Sequence, residues 1–379
     1  MIYRTFQDLK LSGLGLGCMR LPVVGGDDGV IDVEASKAMV KTAFDSGINY
    51  FDTAYGYHNG NSESVMGVLL KEYPRDSFYL ATKFPGYDPT NWPHVREIFA
   101  EQMQKLQVEY FDFYLFHNVC EMNIDAYLDP QYGIYDFLTE QKKNGRIHHL
   151  GFSAHGSLDV MKRFLEAYGK DMEFCQIQLN YMDWEFQKAK EKVALLAEYG
   201  IPVWVMEPLR GGRLAKLSEA ETAKLAALRP EETVPGWAFR FLQSVPGITM
   251  VLSGMSNMEQ LTANIATYAE DKPLSEEEFS ALIGVAADML KGGTLPCTAC
   301  HYCTSYCPQE LPIPDIIALY NEHKVTSAYG YDFIAPMTLG TYPEEKRPTA
   351  CIGCRSCETV CPQQIKISEM MADFSAILK

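Results

Sequence analysis

Residues 48–60 of the 379-residue chain read INYFDTAYGYHNG, and this stretch decides the fold. An apolar run gives way to Asp52, and a phenol, Tyr57, follows five positions later. The run reads as a buried strand ending in polar residues, which places chemistry at a strand's exit. Two later stretches share the design. FYLATKF (78–84) ends near Lys83, and FDFYLFHN (111–118) ends near His117.

Eight such runs occur: LGLGCM from Leu14, INYFDTA, FYLATKF, FDFYLFH, IHHLGFSA from Ile147, FCQIQLN from Phe174, PVWVMEP from Pro202 and MVLSGM from Met250. Each precedes a helical pattern, so they read as βα units. Most are continuously apolar, as parallel strands buried on both faces must be. Eight units in about 270 residues predict an α/β fold, a (β/α)8 TIM barrel, with its site at the C-terminal ends of the strands. A doubly wound sheet fits less well, because LSGLGLG precedes or lies within the first strand instead of forming a GxGxxG turn after it. Asp32 and Ser157 are placed to cap helices, and Ser256 with Glu259, and Ser275 with Glu278, spell capping boxes. Residues 213–229 and 275–290 read as extra helices outside the repeat.

The formal net charge of −16 leaves no basic stripe for nucleic acid and disfavours an acidic membrane surface. The N-terminal stretch MIYRTFQDLK has no apolar core of signal-peptide length, and no run of about 18 apolar residues appears, so a cytoplasmic location is expected.

Taken in order, Asp52, Tyr57, Lys83 and His117 resemble the catalytic tetrad of the aldo-keto reductase family. The resemblance implies hydride addition to a carbonyl, which leaves charge on oxygen, so a proton donor must stand beside it. A free tyrosine, with a pKa of about 10, is sluggish in that role. Lys83 beside the phenol is expected to lower the pKa of Tyr57, Asp52 to hold Lys83 charged and oriented, and His117 to bond the substrate oxygen or relay a proton. Each of the four could instead be a structural ion-pair member or a satisfied core group. The resemblance implies nicotinamide contacts from Ser153 and Gln176, with Ala154 replacing the usual Asn and His155 a substitute for it. Met206 falls where many members stack an aromatic ring. In EPLRGGRL, Gly211 and Gly212 allow close backbone approach, and Arg210 and Arg213 suit a pyrophosphate. Gly254 precedes a helix N-terminus, a natural anion site, and Asn264 matches a family contact to the adenine end. No Lys or Arg occurs between Arg240 and Lys272, so the clamp for the 2′-phosphate of NADP is missing, and NADH or dual use is expected. Tyr87 and Trp92 are candidates for the pocket wall.

KGGTLP, 291–296, reads as a linker, dividing a barrel at 1–290 from a cysteine-rich module at 291–379. Eight of 11 cysteines lie in this module. Cys297, Cys300, Cys303 and Cys307 with Pro308 spell C-x2-C-x2-C-x3-C-P, and Cys351, Cys354, Cys357 and Cys361 with Pro362 repeat it. The doubled run resembles the ligand pattern of bacterial two-cluster ferredoxins. That likeness implies two [4Fe–4S] clusters, one held by Cys297, Cys300, Cys303 and Cys361, the other by Cys351, Cys354, Cys357 and Cys307. Zinc is the alternative, though zinc ribbons need only two separated C-x2-C pairs. The insertion at about 309–350 contains a predicted helix, Pro314 to His323, and an aromatic stretch that either shapes a substrate pocket or covers the clusters.

Barrel and module together are similar to aldo-keto reductase-like oxidoreductases of anaerobic bacteria and archaea that carry a dicluster domain. Three functions are open at this point. The first is NAD(P)H-dependent reduction of an aldehyde or ketone, or oxidation of the alcohol. The second is electron transfer, with the clusters exchanging electrons with a ferredoxin or flavoprotein. The third is a non-catalytic nucleotide- or redox-sensing subunit.

Overall fold

The computed structural model describes residues 1–290, 294–326, 334–340 and 342–377. Residues 291–293 of the expected linker, and 327–333 and 341 of the aromatic insertion, lie outside them. The chain forms two compact units, Met1–Leu282 and Ile283–Lys379.

The first unit opens with an antiparallel hairpin, β1 (Tyr3–Phe6) and β2 (Leu9–Ser12). Eight parallel strands follow, one from each apolar run: β3 (Leu14–Gly17), β4 (Tyr50–Asp52), β5 (Tyr79–Phe84), β6 (Phe111–Val119), β7 (Ile147–Ala154), β8 (Cys175–Gln178), β9 (Val203–Met206) and β10 (Ile248–Gly254). They close into a barrel in chain order, with β10 pairing back onto β3. Inside it, Tyr50, Phe113, Leu115, Phe174, Trp204 and Met250 form the core, joined by Phe6 and Leu11 of the hairpin. The side chains alternate as β-structure requires. Phe113 and Leu115 face that core, whereas the intervening Tyr114 bonds Gln102 of the helix Val95–Leu106.

Asp32, Ser157 and the Ser275/Glu278 pair cap helices as the sequence predicts. Two helix readings change. The box at Ser256 shifts by one residue: Asn257 caps Met258–Thr267 by accepting from Gln260 N, and the Gln260 side chain reaches back to Ser256 N. The segment 213–229 is not one helix. Left-handed Gly211 and Gly212 sit in a 3-10 turn at Arg210–Ala215, and a fresh capping box at Ser218 and Glu221 starts the helix Glu219–Ala226.

The second unit contains the helices Ile313–Thr326, Ile334–Gly340, Ser356–Thr359 and Ile367–Ile377, with Ile316, Ile317, Met371 and Phe374 buried. Among the described residues, no helix is long and apolar enough to cross a membrane.

Candidate active site

Asp52 closes β4 and Lys83 lies near the end of β5, so adjacent strands bring carboxylate and ammonium together inside the barrel mouth. Lys83 is fully buried, and its Nζ donates to Asp52 Oδ1 at 2.7 Å and to the Thr53 carbonyl at 2.7 Å. Its third donor meets the Tyr57 hydroxyl at 3.4 Å. Tyr57 opens a turn in which His58 and Asn59 both take left-handed backbone, φ 53° and 54°. Non-glycine residues hold that conformation only when their surroundings impose it. His58 is locked at both ring nitrogens: Nε2 accepts from Leu21 N at 3.1 Å and Nδ1 donates to the Asp28 carbonyl at 2.8 Å. The Tyr57 turn is thereby fastened to the loop after β3.

His117 stands near the end of β6, its ring centroid 6.1 Å from that of Tyr57 and 5.2 Å from that of Tyr87. The sequence thus brings the four tetrad residues to one mouth, with Tyr87 above them. Trp92 turns instead into its own loop, donating to the Gly86 carbonyl and packing on Tyr132.

The electrostatics correct one expectation. The Tyr57 phenol is pushed well above its ordinary value, chiefly by burial and next by the Asp52 charge. The neighbouring Lys83 ammonium does not offset these two contributions. Burial also raises the Asp52 carboxyl, against the opposing pull of Lys83. Burial, then Lys83 and His155, lowers His117 well below its usual range, so its imidazole is neutral.

Several buried polar atoms near these strand ends have no partner among the described residues: Asp52 Oδ2, His117 Nδ1, both side-chain polar atoms of Asn118, His155 Nδ1 and Gln176 Oε1. Such atoms cost free energy unless a ligand or water bonds them. Asn118 was not anticipated. It follows His117 in left-handed conformation, φ 59°, and its backbone N–H donates to Ser153 Oγ at 2.8 Å, which leaves the serine proton free for another acceptor.

A cavity of about 450 Å³ runs from Asp52 and Tyr57 past Gln176 and Met206 to Gly211, Gly212, Gly254 and Asn264. These residues fit a dinucleotide: an orphaned amide oxygen at Gln176, left-handed glycines at φ 66° and 93°, and a buried Asn264 bonded to Ser253 Oγ. Neither Arg210 nor Arg213 lines it. Arg210 turns inward, its Nε 3.1 Å from both oxygens of fully buried Asp183, which also accepts from Gln178 and Asn180. A buried carboxylate must be paired, and Arg210 serves that need. The cation that does line the cavity is Arg20, from the turn after β3, its side chain against Gly254. The sequence offered no signal for it.

In the second unit, Cys297, Cys300, Cys303 and Cys361 line one cavity, and Cys307, Cys351, Cys354 and Cys357 line another. None forms a disulfide. The two runs share a backbone conformation, with left-handed residues at matching places: Ala299 and Gly353, His301 and Arg355, Glu310 and Gln364. Among the described residues no three His, Cys, Asp or Glu side chains are grouped for a single metal ion. Four cysteines around each cavity suit a multi-iron group.

A profile of the aldo/keto reductase family matches residues 13–286, and a profile of the 4Fe–4S dicluster domain matches residues 296–365. The Bacillus subtilis (strain 168) uncharacterized oxidoreductase YqkF is 26% identical over 73% of this chain and 93% of its own. The NADH-specific methylglyoxal reductase of Escherichia coli (strain K12) is 24% identical over 68% and 90%. Among solved structures, the holo form of the Bacillus halodurans aldo-keto reductase AKR11C1 superposes with a TM-score of 0.61 at 26% identity, covering 75% of this chain and 96% of that one.

The buried pair makes a prediction about stability. Removing Lys83 strands a buried carboxylate, so Lys83→Met is expected to cost about 3–5 kcal/mol in denaturant unfolding. Burial then raises Asp52 unopposed. A carboxyl whose folded pKa exceeds its unfolded value stabilises the fold below the unfolded value, and that stability is lost as pH rises through the folded one. The deficit of the variant relative to the native protein should therefore be smallest below about pH 4 and widen above it. Equal unfolding midpoints for both proteins at neutral pH would sink this account.

Proposed function

This chain belongs to the aldo/keto reductase family and carries a 4Fe–4S dicluster domain, and we propose that it reduces an aldehyde or ketone, or oxidises the alcohol, with NAD(P)H. The observation that carries this reading is the Lys83 ammonium, which touches Asp52 and Tyr57 at the rim of a nucleotide-sized cavity. A bound reduced nicotinamide supplies the hydride. Tyr57, kept protonated by burial, holds the proton that the carbonyl oxygen needs, and Lys83 stands behind it to meet the phenolate that proton release leaves. Neutral His117 positions the carbonyl through one ring nitrogen. Ser153, Gln176 and Asn118 offer hydrogen bonds for a carboxamide, which would fix the ring face presented to the substrate. Tyr57→Phe should lower kcat by on the order of 100- to 10,000-fold while NADH still binds. Unchanged turnover would remove Tyr57 from the acid role. Nucleotide binding without turnover by the native protein, on a broad carbonyl panel, would favour a sensing subunit.

NADH is the preferred cofactor in this reading. Glu259 lies on the cavity rim, and among the lining residues only Arg20 is cationic. A carboxylate suits a free ribose hydroxyl and repels a 2′-phosphate. NADH should exceed NADPH in kcat/KM by on the order of tenfold, and Glu259→Lys should narrow the gap. A native preference for NADPH would refute it.

The two cysteine sets would hold two [4Fe–4S] clusters, which exchange single electrons. Cys354 and its neighbour Ile352, 62% exposed, bring the second set to the surface, which favours electron exchange with a ferredoxin or flavoprotein as a second activity. Cys361→Ser is expected to disturb the cluster of the first run, Cys297 to Cys303, and to leave the other spectroscopically intact. Loss of the Cys351 to Cys357 cluster instead would overturn the crossed ligation.

A further inference from the structure

Glu207 has no part in the hydride chemistry, yet it lines the cavity just beyond β9. Its backbone is left-handed, φ 57°, and its carbonyl accepts from Asn180 Nδ2 at 3.0 Å and Arg210 N at 3.1 Å. The side chain is only 15% exposed. One carboxylate oxygen accepts from the Gly211 amide at 2.5 Å and the other lies 3.8 Å from Arg20 Nη2. A glycine-turn amide and an arginine are the donors that a phosphate group takes. Here the protein's own carboxylate takes the amide and stands at ion-pair distance from the arginine.

We propose that Glu207 is a resident competitor for the nucleotide's diphosphate, displaced from the Gly211 amide and Arg20 when a dinucleotide binds. The proposal rests on the assignment of this cavity to a dinucleotide and adds a device that sets its affinity. Two anions cannot share one amide and one arginine without strong repulsion. The carboxylate must therefore swing out or take up a proton.

The surroundings favour proton uptake. Burial raises the Glu207 carboxyl above its usual range, with Arg20, the Gly211 amide and Arg210 opposing and Asp183 adding to the rise. Tyr57 is the other titratable group that feels it, since the Glu207 charge contributes to pushing the phenol up. Protonated Glu207 yields its donors at little cost, whereas ionised Glu207 contests them. NADH affinity should then fall as pH rises through the Glu207 titration, and binding at neutral pH should take up protons.

The test measures NADH binding to the intact, cluster-loaded protein and to Glu207→Gln, from about pH 5.5 to about pH 8. The substitution keeps the side chain's shape and removes its charge. Expected are tighter binding by Glu207→Gln, on the order of tenfold at neutral pH, and a pH dependence present in the native protein but flattened in the variant. Isothermal titration of the native protein in buffers of differing ionisation enthalpy reads the proton uptake directly and does not depend on the variant folding. Equal affinities, with neither pH dependence nor proton uptake in the native protein, overturn the competitor role and leave the dinucleotide assignment standing. Failure of both proteins to bind NADH at any pH overturns the assignment and the competitor role together.

Discussion

The buried pair of Asp52 and Lys83 is the constraint from which the rest of the mouth follows. A lysine ammonium has three protons to donate, and burial obliges it to place each of them. Two go to Asp52 and the Thr53 carbonyl at 2.7 Å, and the third reaches Tyr57 at 3.4 Å. The third is the longest and so the most readily strengthened as charge grows on the phenolic oxygen. A well-packed apolar pair at these positions would be as stable or more so. The charges are better understood as positioning: Asp52 holds the ammonium beside the phenol, where it meets the charge that proton release leaves.

A neighbouring cluster carries a denser hydrogen-bond network in the same barrel. Thr82, one residue before Lys83, faces the opposite way. Its hydroxyl donates to Glu63 Oε1, Gln102 donates to Glu63 and to the Lys83 carbonyl, and the Tyr114 hydroxyl donates to Gln102. That network binds the helices Ser62–Leu70 and Val95–Leu106 to the strands. At the mouth, by contrast, Asp52, His117, Asn118 and Gln176 keep buried atoms without partners. The strand ends at the mouth thus gather several such atoms in one place, where a ligand can bond them.

The sequence made legible whatever depends on short-range pattern. Eight apolar runs declared eight parallel strands, because strands covered on both faces have little room for polar residues. That Asp52, Tyr57, Lys83 and His117 would lie together was legible because they sit at or just beyond the ends of those runs. What stayed hidden depends on pairing at a distance. RGGR resembles a phosphate grip, but Asp183, 27 residues before Arg210, is buried and claims that guanidinium. Arg20 lies in an unremarkable turn and reaches the cavity only because β3 and β10 close the barrel beside Gly254. The protonation state of Tyr57 could not be read from residue types alone, since burial outweighs the neighbouring amine.

The cysteine module shows why its long insertion is tolerated. Cys307 ends the first run but lines the cavity of the second, the same cavity that Cys351 enters. The segment 308–350 therefore leaves and returns to one site, whichever residues fill it. Closing a loop whose ends already meet costs an entropy that grows only slowly with length. Lys346 tightens the base of the excursion, donating to the carbonyls of Gln309 at 3.2 Å and Glu310 at 2.9 Å. The crossed placement of the cysteines thus frees the insertion's length and composition from the geometry of the thiols. The cysteine loops keep matching left-handed residues on both sides of it, so its sequence can change without moving a single thiol.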